Sequence, residues 1–366
     1  MKILYVCRSD LQSRDANAVH VLHMTRALCE LGHEVSVVAA EEPEAHVGNA
    51  SSLNWQCGGR HIKRLPPSAR VPLLAWRYSK VAPRADVILS RHLPSAVILG
   101  RGKRPLIVEL HALQKSRLGR WLEAAALRSS NLVRVIAISE PLRRDLLSRY
   151  PFLSADTVRT LHDAAVLPDR RTPPALKHRR AVLQIGYVGN LYPGKGAEMT
   201  LRLAAELPQF DFHLVGGSQE ECMRVFGRPL PANIQAHGYL PHADLAGIYA
   251  SLDVGLVPIS PKVADRDGND IGRWTSPLKL FEYLAAGLAV IASDVPSLRG
   301  LLQPDHEALV VPPDDVAAWT EALIRLDSDE RLRRSLSRQG RELVERRHTW
   351  AVRAHEALSG IVERSE

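Results

Sequence analysis

The sequence predicts an α/β protein made of two doubly wound, parallel-sheet domains in tandem, and three observations predict it. A chain of 366 residues exceeds the ~250–300 residues that one hydrophobic core usually supports. Residues 3–39 read as strand, helix and strand, the βαβ unit whose second strand must lie parallel to the first. The same alternation resumes after a stretch rich in proline and charge at residues 167–180. A composition of 45% hydrophobic and 24% charged residues excludes disordered and fibrous classes.

Ile3 to Cys7 is a short apolar run. Ala16 to Leu31 carries Val19, Leu22, His23, Ala27 and Leu28 at helical spacing, Gly32-His33 stops that helix, and Glu34 to Ala39 is the second strand. Further strands are expected at Val87–Leu89, Leu106–Glu109 and Val135–Ala137, each followed by a loop and a helical stretch. Leu167 to Arg180 has no apolar periodicity and reads as an exposed linker. Beyond it, strands are expected at Ile185–Val188, Phe212–Val215, Val254–Val257, Ala289–Ala292 and Ala308–Val311. Helices are expected at Glu198–Glu206, Asp244–Ala250 and Pro277–Ala286. The tail from Asp329 to Glu366 is charged and helical. The expected domains are therefore 1–170 and 171–345, with 346–366 a final helix crossing back to the first domain. Open parallel sheets place ligands at the carboxyl ends of their strands, so a shared substrate is expected in the cleft between the two.

Of the net charge of +8, residues 1–170 carry 25 Lys+Arg against 15 Asp+Glu, and residues 171–366 carry 23 against 25. A basic first half suits an anionic partner or simply a solubilising surface. Cys7, Cys29, Cys57 and Cys222 show no paired spacing, which reads as a reducing, cytoplasmic setting. Arg8 interrupts the opening apolar run too early for a signal peptide, and no run approaches the ~20 apolar residues of a membrane span. Membrane contact, if made, is expected to be peripheral, through Val71 to Lys80 or Lys115 to Trp121, which mix aromatic, aliphatic and basic residues. Ordinary surface helices explain both segments equally well.

The most informative segment runs from Thr275 to Asp294. Ser276 suits an N-cap, Pro277 the first helical position and Gly287 the stop. The helix start would favour a phosphate at Ser276–Pro277. Glu282 is the lone carboxylate of this apolar helix and needs a partner. A ribose diol would satisfy both oxygens, and so would a salt bridge to Lys279, three residues back. A second segment, Gly186-Tyr187-Val188-Gly189-Asn190-Leu191-Tyr192-Pro193-Gly194-Lys195-Gly196, is a strand running into a glycine-rich turn and a helix. Its glycines permit close backbone approach and Lys195 offers a mobile charge for a diphosphate. The residue order is not that of a Walker loop.

Together these segments resemble the retaining glycosyltransferases of family 4, with the GT-B fold. The resemblance extends over nearly the whole chain: the opening strand, Gly32-His33-Glu34-Val35, the Gly-Lys-Gly turn, Val215-Gly216-Gly217, Gly238-Tyr239-Leu240-Pro241, and Ser276 through Ser293. Ser-Pro-x-Lys-Leu-x-Glu-Tyr followed by Ala-Gly is similar to the signature of one branch of that family. The resemblance makes Lys195 the diphosphate ligand and Glu282 the ribose ligand, puts Leu240 near the nucleobase, and puts the Ser276–Pro277 amides near the phosphates. Two positions depart from the pattern. The family's Gly-Arg pair is Gly189-Asn190 here, with Arg273 the candidate replacement cation. Eight residues before Glu282, where relatives carry a glutamate contacting the donor sugar, stands Trp274.

In the first half, His111 ends a strand and resembles the family's cleft histidine, placed to hydrogen-bond the donor sugar. The loop Arg8 to Asn17 lacks the glycines of relatives, and Asn17 either caps the following helix or touches ligand on the acceptor side. His20 and His23, three apart on one helix, lack a third ligand in the sequence, so packing is the expectation and no metal site is assigned. The expected activity is transfer of a hexose from UDP or GDP to an acceptor hydroxyl with retention, needing no metal or cofactor. The acceptor is expected to be a glycan or lipid-linked, in cell-surface polysaccharide, lipopolysaccharide or glycolipid assembly. Nucleic acid is not an expected partner. A nucleotide-sugar epimerase and a catalytically silent nucleotide-sugar-binding subunit remain the alternatives.

Overall fold

The computed structural model describes residues 1–9, 11, 16–39, 53–56, 71–73, 75–76, 85–176, 182–263 and 270–361. Half of the Arg8–Asn17 loop, Cys57, and parts of Val71–Lys80 and of Leu167–Arg180 lie outside the described residues. The chain divides into two compact units, Met1–Asp163 with Trp350–Glu366, and Ala164–Thr349.

Among the described residues the first unit is a seven-stranded parallel sheet: β1 (Lys2–Val6), β2 (Glu34–Val38), β3 (Leu53–Gln56), β4 (Val87–Ser90), β5 (Leu106–Leu110), β6 (Leu132–Ala137) and β7 (Val158–Thr160). The strand order is β3-β2-β1-β4-β5-β6-β7. Every residue of β4 and β5 is buried, which is why these strands read as continuous apolar runs rather than alternating ones. Helices α1 (Ala16–Glu30), α2 (Leu93–Leu99), α3 (Arg117–Leu127) and α4 (Glu140–Arg149) connect them. The side chains of Ser116 and Ser139 cap α3 and α4 by accepting from the amides of Gly119 and Leu142. The C-terminal helix Trp350–Leu358 packs on α1. Its last carbonyls, those of Glu356 and Ala357, accept from the Arg134 guanidinium at 3.0 and 2.7 Å. The strand order turns around beside β1, which opens a crevice at the carboxyl ends of β1 and β4.

The second unit repeats this plan with six parallel strands: β8 (Gln184–Val188), β9 (Asp211–Val215), β10 (Ile234–Ala236), β11 (Val254–Val257), β12 (Ala289–Ser293) and β13 (Leu309–Val311). They are ordered β10-β9-β8-β11-β12-β13, so the turnaround lies between β8 and β11. Helices α5 (Ala197–Glu206), α6 (Gln219–Phe226), α7 (Leu245–Tyr249), α8 (Leu278–Ala286), α9 (Val316–Ser328) and α10 (Glu330–Arg347) cover its faces. One core layer joins Leu280, Phe281 and Leu284 of α8 to Val188, Val257 and Ala292 of the sheet. The other joins Phe212, Leu256 and Ile291 to Trp319.

The structure corrects the expected start of α8. Helical dihedrals begin at Leu278, and Pro277 occupies the N-cap place with φ −81° and ψ 115°, without a side-chain cap bond. Ser276 is therefore not the cap: the pyrrolidine ring fixes φ, but the extended ψ of Pro277 defers the first turn by one residue. Gly287 stops the helix as expected, at a φ of +78°. The tail is helical, as two helices interrupted at His348–Thr349. Strands β3, β7 and β10 and helices α6 and α9 were not among the expected elements.

Candidate functional site

In the second unit the glycine-rich turn leaves the carboxyl end of β8 beside the sheet's turnaround. An added Cβ at Gly189, whose φ is +155°, would lie 2.7 Å from Lys279 Nζ, so the tip of the lysine passes directly over this backbone. The Tyr187 hydroxyl donates to the carbonyls of Asn190 at 2.8 Å and Lys195 at 3.1 Å and so shapes the turn from beneath. The Val188 amide donates to the Tyr283 hydroxyl at 2.6 Å, tying α8 to the same strand. Asn190 Oδ1 accepts from the Tyr239 hydroxyl. Gly189, Asn190 and Lys195 are thus brought together with the first turn of α8.

Glu282 is held by two side chains from the preceding segment rather than by Lys279. Its side chain is 12% exposed, with Oε1 2.7 Å from His242 Nε2, and Oε2 accepts from the Tyr249 hydroxyl at 2.8 Å. Lys279 turns away from it: the ammonium lies 3.7 Å from the centre of the Tyr187 ring and donates to the Lys195 carbonyl at 3.4 Å. The Lys279–Glu282 salt bridge is therefore excluded, because the lysine's stem is drawn over the aromatic face and toward the glycine turn. Burial lowers the His242 pKa, but the Glu282 hydrogen bond and charge raise it further, leaving it above the ordinary value. Burial, then the Lys195 charge, push the Lys279 ammonium well below the usual lysine range, against Glu282.

Leu240 packs partly buried on the core around α8, two residues before His242. Arg273 is exposed and Trp274 buried in a 3₁₀ turn, Gly272–Trp274, that leads through Ser276 and Pro277 into α8. Pro277 has no amide hydrogen, so the donors this helix start can offer an anion are the amides of Leu278 and Lys279.

In the first unit His111 follows β5, and its Nε2 lies 2.8 Å from Glu109 Oε1 and 2.6 Å from Arg91 Nη2. Glu109 is 1% exposed and stands among cationic and imidazole groups: Arg353 at 3.2 Å, Arg91 at 3.3 Å and His20 Nε2 at 3.1 Å. His20 Nδ1 in turn meets Asp163 Oδ1 at 2.7 Å. Burial would raise the Glu109 carboxyl, but the charges of Arg353, His20 and Arg91 and the His111 hydrogen bond hold it well below the usual range. Burial and the Arg91 charge press the His111 pKa down to about 4 against the pull of Glu109. At neutral pH His111 is a neutral hydrogen-bonding group, not a proton donor of imidazolium type.

His20, Glu109 and His111 present ligand atoms within 4.8 Å of one another. The third ligand absent from the sequence reading is thus Glu109, delivered by β5, while His23 instead stacks on Trp350 at 5.6 Å. A divalent cation would have to displace Arg91, whose guanidinium already supplies the positive charge there. Asn17 lies inside α1, which begins at Ala16, and its Oδ1 accepts from Arg91 at 3.4 Å. It is not a cap: its side chain turns out of the helix toward the guanidinium. At the start of α3, Leu118 and Trp121 are 67% and 62% exposed, beside exposed Lys115, Arg117 and Arg120.

Sequence reasoning missed Arg91, Glu109, Asp163 and Arg353 in the first unit, and His242, Tyr249 and the orientation of Lys279 in the second. One signal was available: a glutamate in the middle of the fully apolar strand Leu-Ile-Val-Glu-Leu demands buried partners.

Comparison with known proteins adds three findings. Residues 18–165 match the family model described as Glycosyltransferase Family 4, and residues 195–359 match the one described as Glycosyl transferase-like. A phosphatidyl-myo-inositol mannosyltransferase of Mycolicibacterium smegmatis is 25% identical, over 98% of this chain and 95% of its own length. An alpha-D-kanosaminyltransferase of Streptomyces kanamyceticus is 21% identical over 70% of each chain. Among solved structures, the fold is similar to sucrose-phosphate synthase from Thermosynechococcus elongatus, with a TM-score of 0.75, 20% identity and coverage of 97% and 96% of the two chains. It is also similar to Anabaena HepE in complex with UDP-glucose, with a TM-score of 0.70, 14% identity and coverage of 99% and 100%.

Proposed function

We propose, from the premise that this chain is a glycosyltransferase of the family 4 type with the GT-B fold, that it moves a hexose from a UDP- or GDP-sugar to an acceptor hydroxyl with retained anomeric configuration. The observation that carries this reading is the meeting of the β8 glycine turn with the first turn of α8, at Gly189 and Lys279. In it Lys195 and the positive end of α8 hold the departing diphosphate. Glu282, oriented by His242 and Tyr249, receives the ribose diol on its remaining lone pairs. Leu240 borders the base, while Asn190, Arg273 and Trp274 shape the phosphate and sugar side. His111 is assigned the support of the sugar as a neutral imidazole, and Asn17 the acceptor side. Side chains and helix dipole supply the positive charge, so the reading needs no metal.

The acceptor class follows the relatives named above and is proposed to be lipid-linked or a cell-surface glycan. Among the described residues no helix is long and apolar enough to cross a membrane. The exposed Leu118 and Trp121 beside basic residues of α3 fit peripheral docking on an anionic, cytoplasm-facing membrane surface. The test is incubation of the purified chain with UDP- and GDP-hexoses and phosphoinositide or oligosaccharide acceptors. Nucleotide release is followed, and product stereochemistry is read by NMR. A glycoside of retained configuration supports the reading, sugar epimerised without acceptor supports an epimerase, and donor binding without turnover supports a silent subunit.

A further inference from the structure

Lys279 is not explained by the roles assigned so far. Its ammonium sits against the Tyr187 ring, 3.4 Å from the Lys195 carbonyl, and its tip rests over Gly189, where an added Cβ would lie 2.7 Å from Nζ. Among the described residues no carboxylate forms an ion pair with it, because Glu282, one turn further along α8, is engaged by His242 and Tyr249. Lys195 adds repulsion rather than relief. A partly buried ammonium beside a second lysine, over a backbone stripped of side chains, is costly until an anion arrives. Asparagine at position 190 brings no charge to the same turn, and its side chain is held by Tyr239.

We propose that Lys279 is a second cation for the diphosphate of the donor, reaching it across the bare backbone of Gly189. This rests on the donor reading above. In the free protein burial and the Lys195 charge disfavour the Lys279 ammonium, and the arriving phosphates supply the opposite charge that offsets both. Arg273, exposed in the turn before α8, is the competing source of that charge.

The proposal is tested by titration calorimetry with UDP and with GDP near neutral pH. Wild type should bind one of them. Lys279→Met should weaken binding about 10- to 100-fold, the range for a charge-assisted contact. Lys279→Arg should retain most of the affinity, because a guanidinium keeps the positive charge. Arg273→Gln should weaken binding less than Lys279→Met does, and the reverse order would overturn the role of Lys279. Melting curves establish that each variant is folded, and if the methionine variant is not, Lys279→Gln takes its place. Wild type binding neither nucleotide would overturn the donor reading and this one together. Binding weakened by Glu282→Ala but untouched by Lys279→Met would overturn only the role of Lys279.

Discussion

Replacing Arg353 by Met tests the buried charge cluster under His111. Arg353 is 3% exposed and Glu109 1%. The guanidinium donates to Glu109 at 3.2 Å and to the carbonyls of His162 at 2.9 Å and Leu161 at 3.4 Å. Breaking a buried ion pair from one side costs about 3–5 kcal/mol, because the remaining charge stays buried. Arg91, 3.3 Å from the other carboxylate oxygen, offsets part of that, which argues for the lower end, about 3 kcal/mol. For a unit of this size that corresponds to roughly 6–12 °C in Tm. Thermal unfolding followed by circular dichroism should show the drop in the transition of the first unit. The pH dependence follows from the depressed Glu109 carboxyl. Its contribution is fully present above the unfolded value near 4.5 and is lost as pH falls through the lower folded value. Glu109→Gln should therefore be destabilised at neutral pH and should lose less on acidification than wild type does. A fall of less than about 2 °C for Arg353→Met, against the several degrees expected for the loss of a buried ion-pair partner, would refute the reasoning.

Other expected outcomes follow from the same contacts. Glu282→Ala and Lys195→Met should each abolish turnover while leaving the melting curve near that of wild type, and near-normal activity in both would remove the proposed site. His242→Ala, which frees one Glu282 oxygen, should weaken nucleotide binding about 3- to 10-fold, as for one lost hydrogen bond; unchanged binding would show that His242 does not orient Glu282. Because the folded His242 pKa is raised, its link to Glu282 is fully present below the unfolded value of 6.5 and fades as pH rises through the folded one. The melting advantage of wild type over His242→Gln should shrink across that rise. Flotation with anionic vesicles at low salt should carry wild type upward and leave a Leu118→Glu/Trp121→Glu variant behind; equal flotation would exclude α3 as the contact.

How much of this was legible in the sequence depends on range. The β/α alternation could be read because parallel strands buried on both faces appear as apolar runs, and Gly287 and Gly32 marked true helix ends with left-handed backbones. The strands β7 and β10 have three residues each and carry a polar residue at their centre, Val-Arg-Thr and Ile-Gln-Ala, whereas the equally short β13 is Leu-Val-Val. Helix α6 did announce itself, through the reciprocal cap of Ser218 and Glu221. At the site, Lys195 and Glu282 stood out as charges in unlikely company, but their settings did not. His242 and Tyr249 lie 40 and 33 positions before the carboxylate they hold, and Arg353 lies 244 positions beyond Glu109. Such partners are fixed by how a parallel sheet brings its strand ends together, which no local spacing records. Local spacing also suggested the Lys279–Glu282 pair, and it lost to an aromatic face and a carbonyl supplied by the neighbouring strand and turn.

If the crevice where β8 gives way to the glycine turn is a seat for a nucleoside diphosphate, a crystal structure of the chain soaked with UDP or GDP will show both phosphates over Gly189 beside Lys195 and the start of α8, with the ribose hydroxyls on Glu282. A nucleotide bound elsewhere, or one in this crevice whose ribose turns away from Glu282, would contradict it.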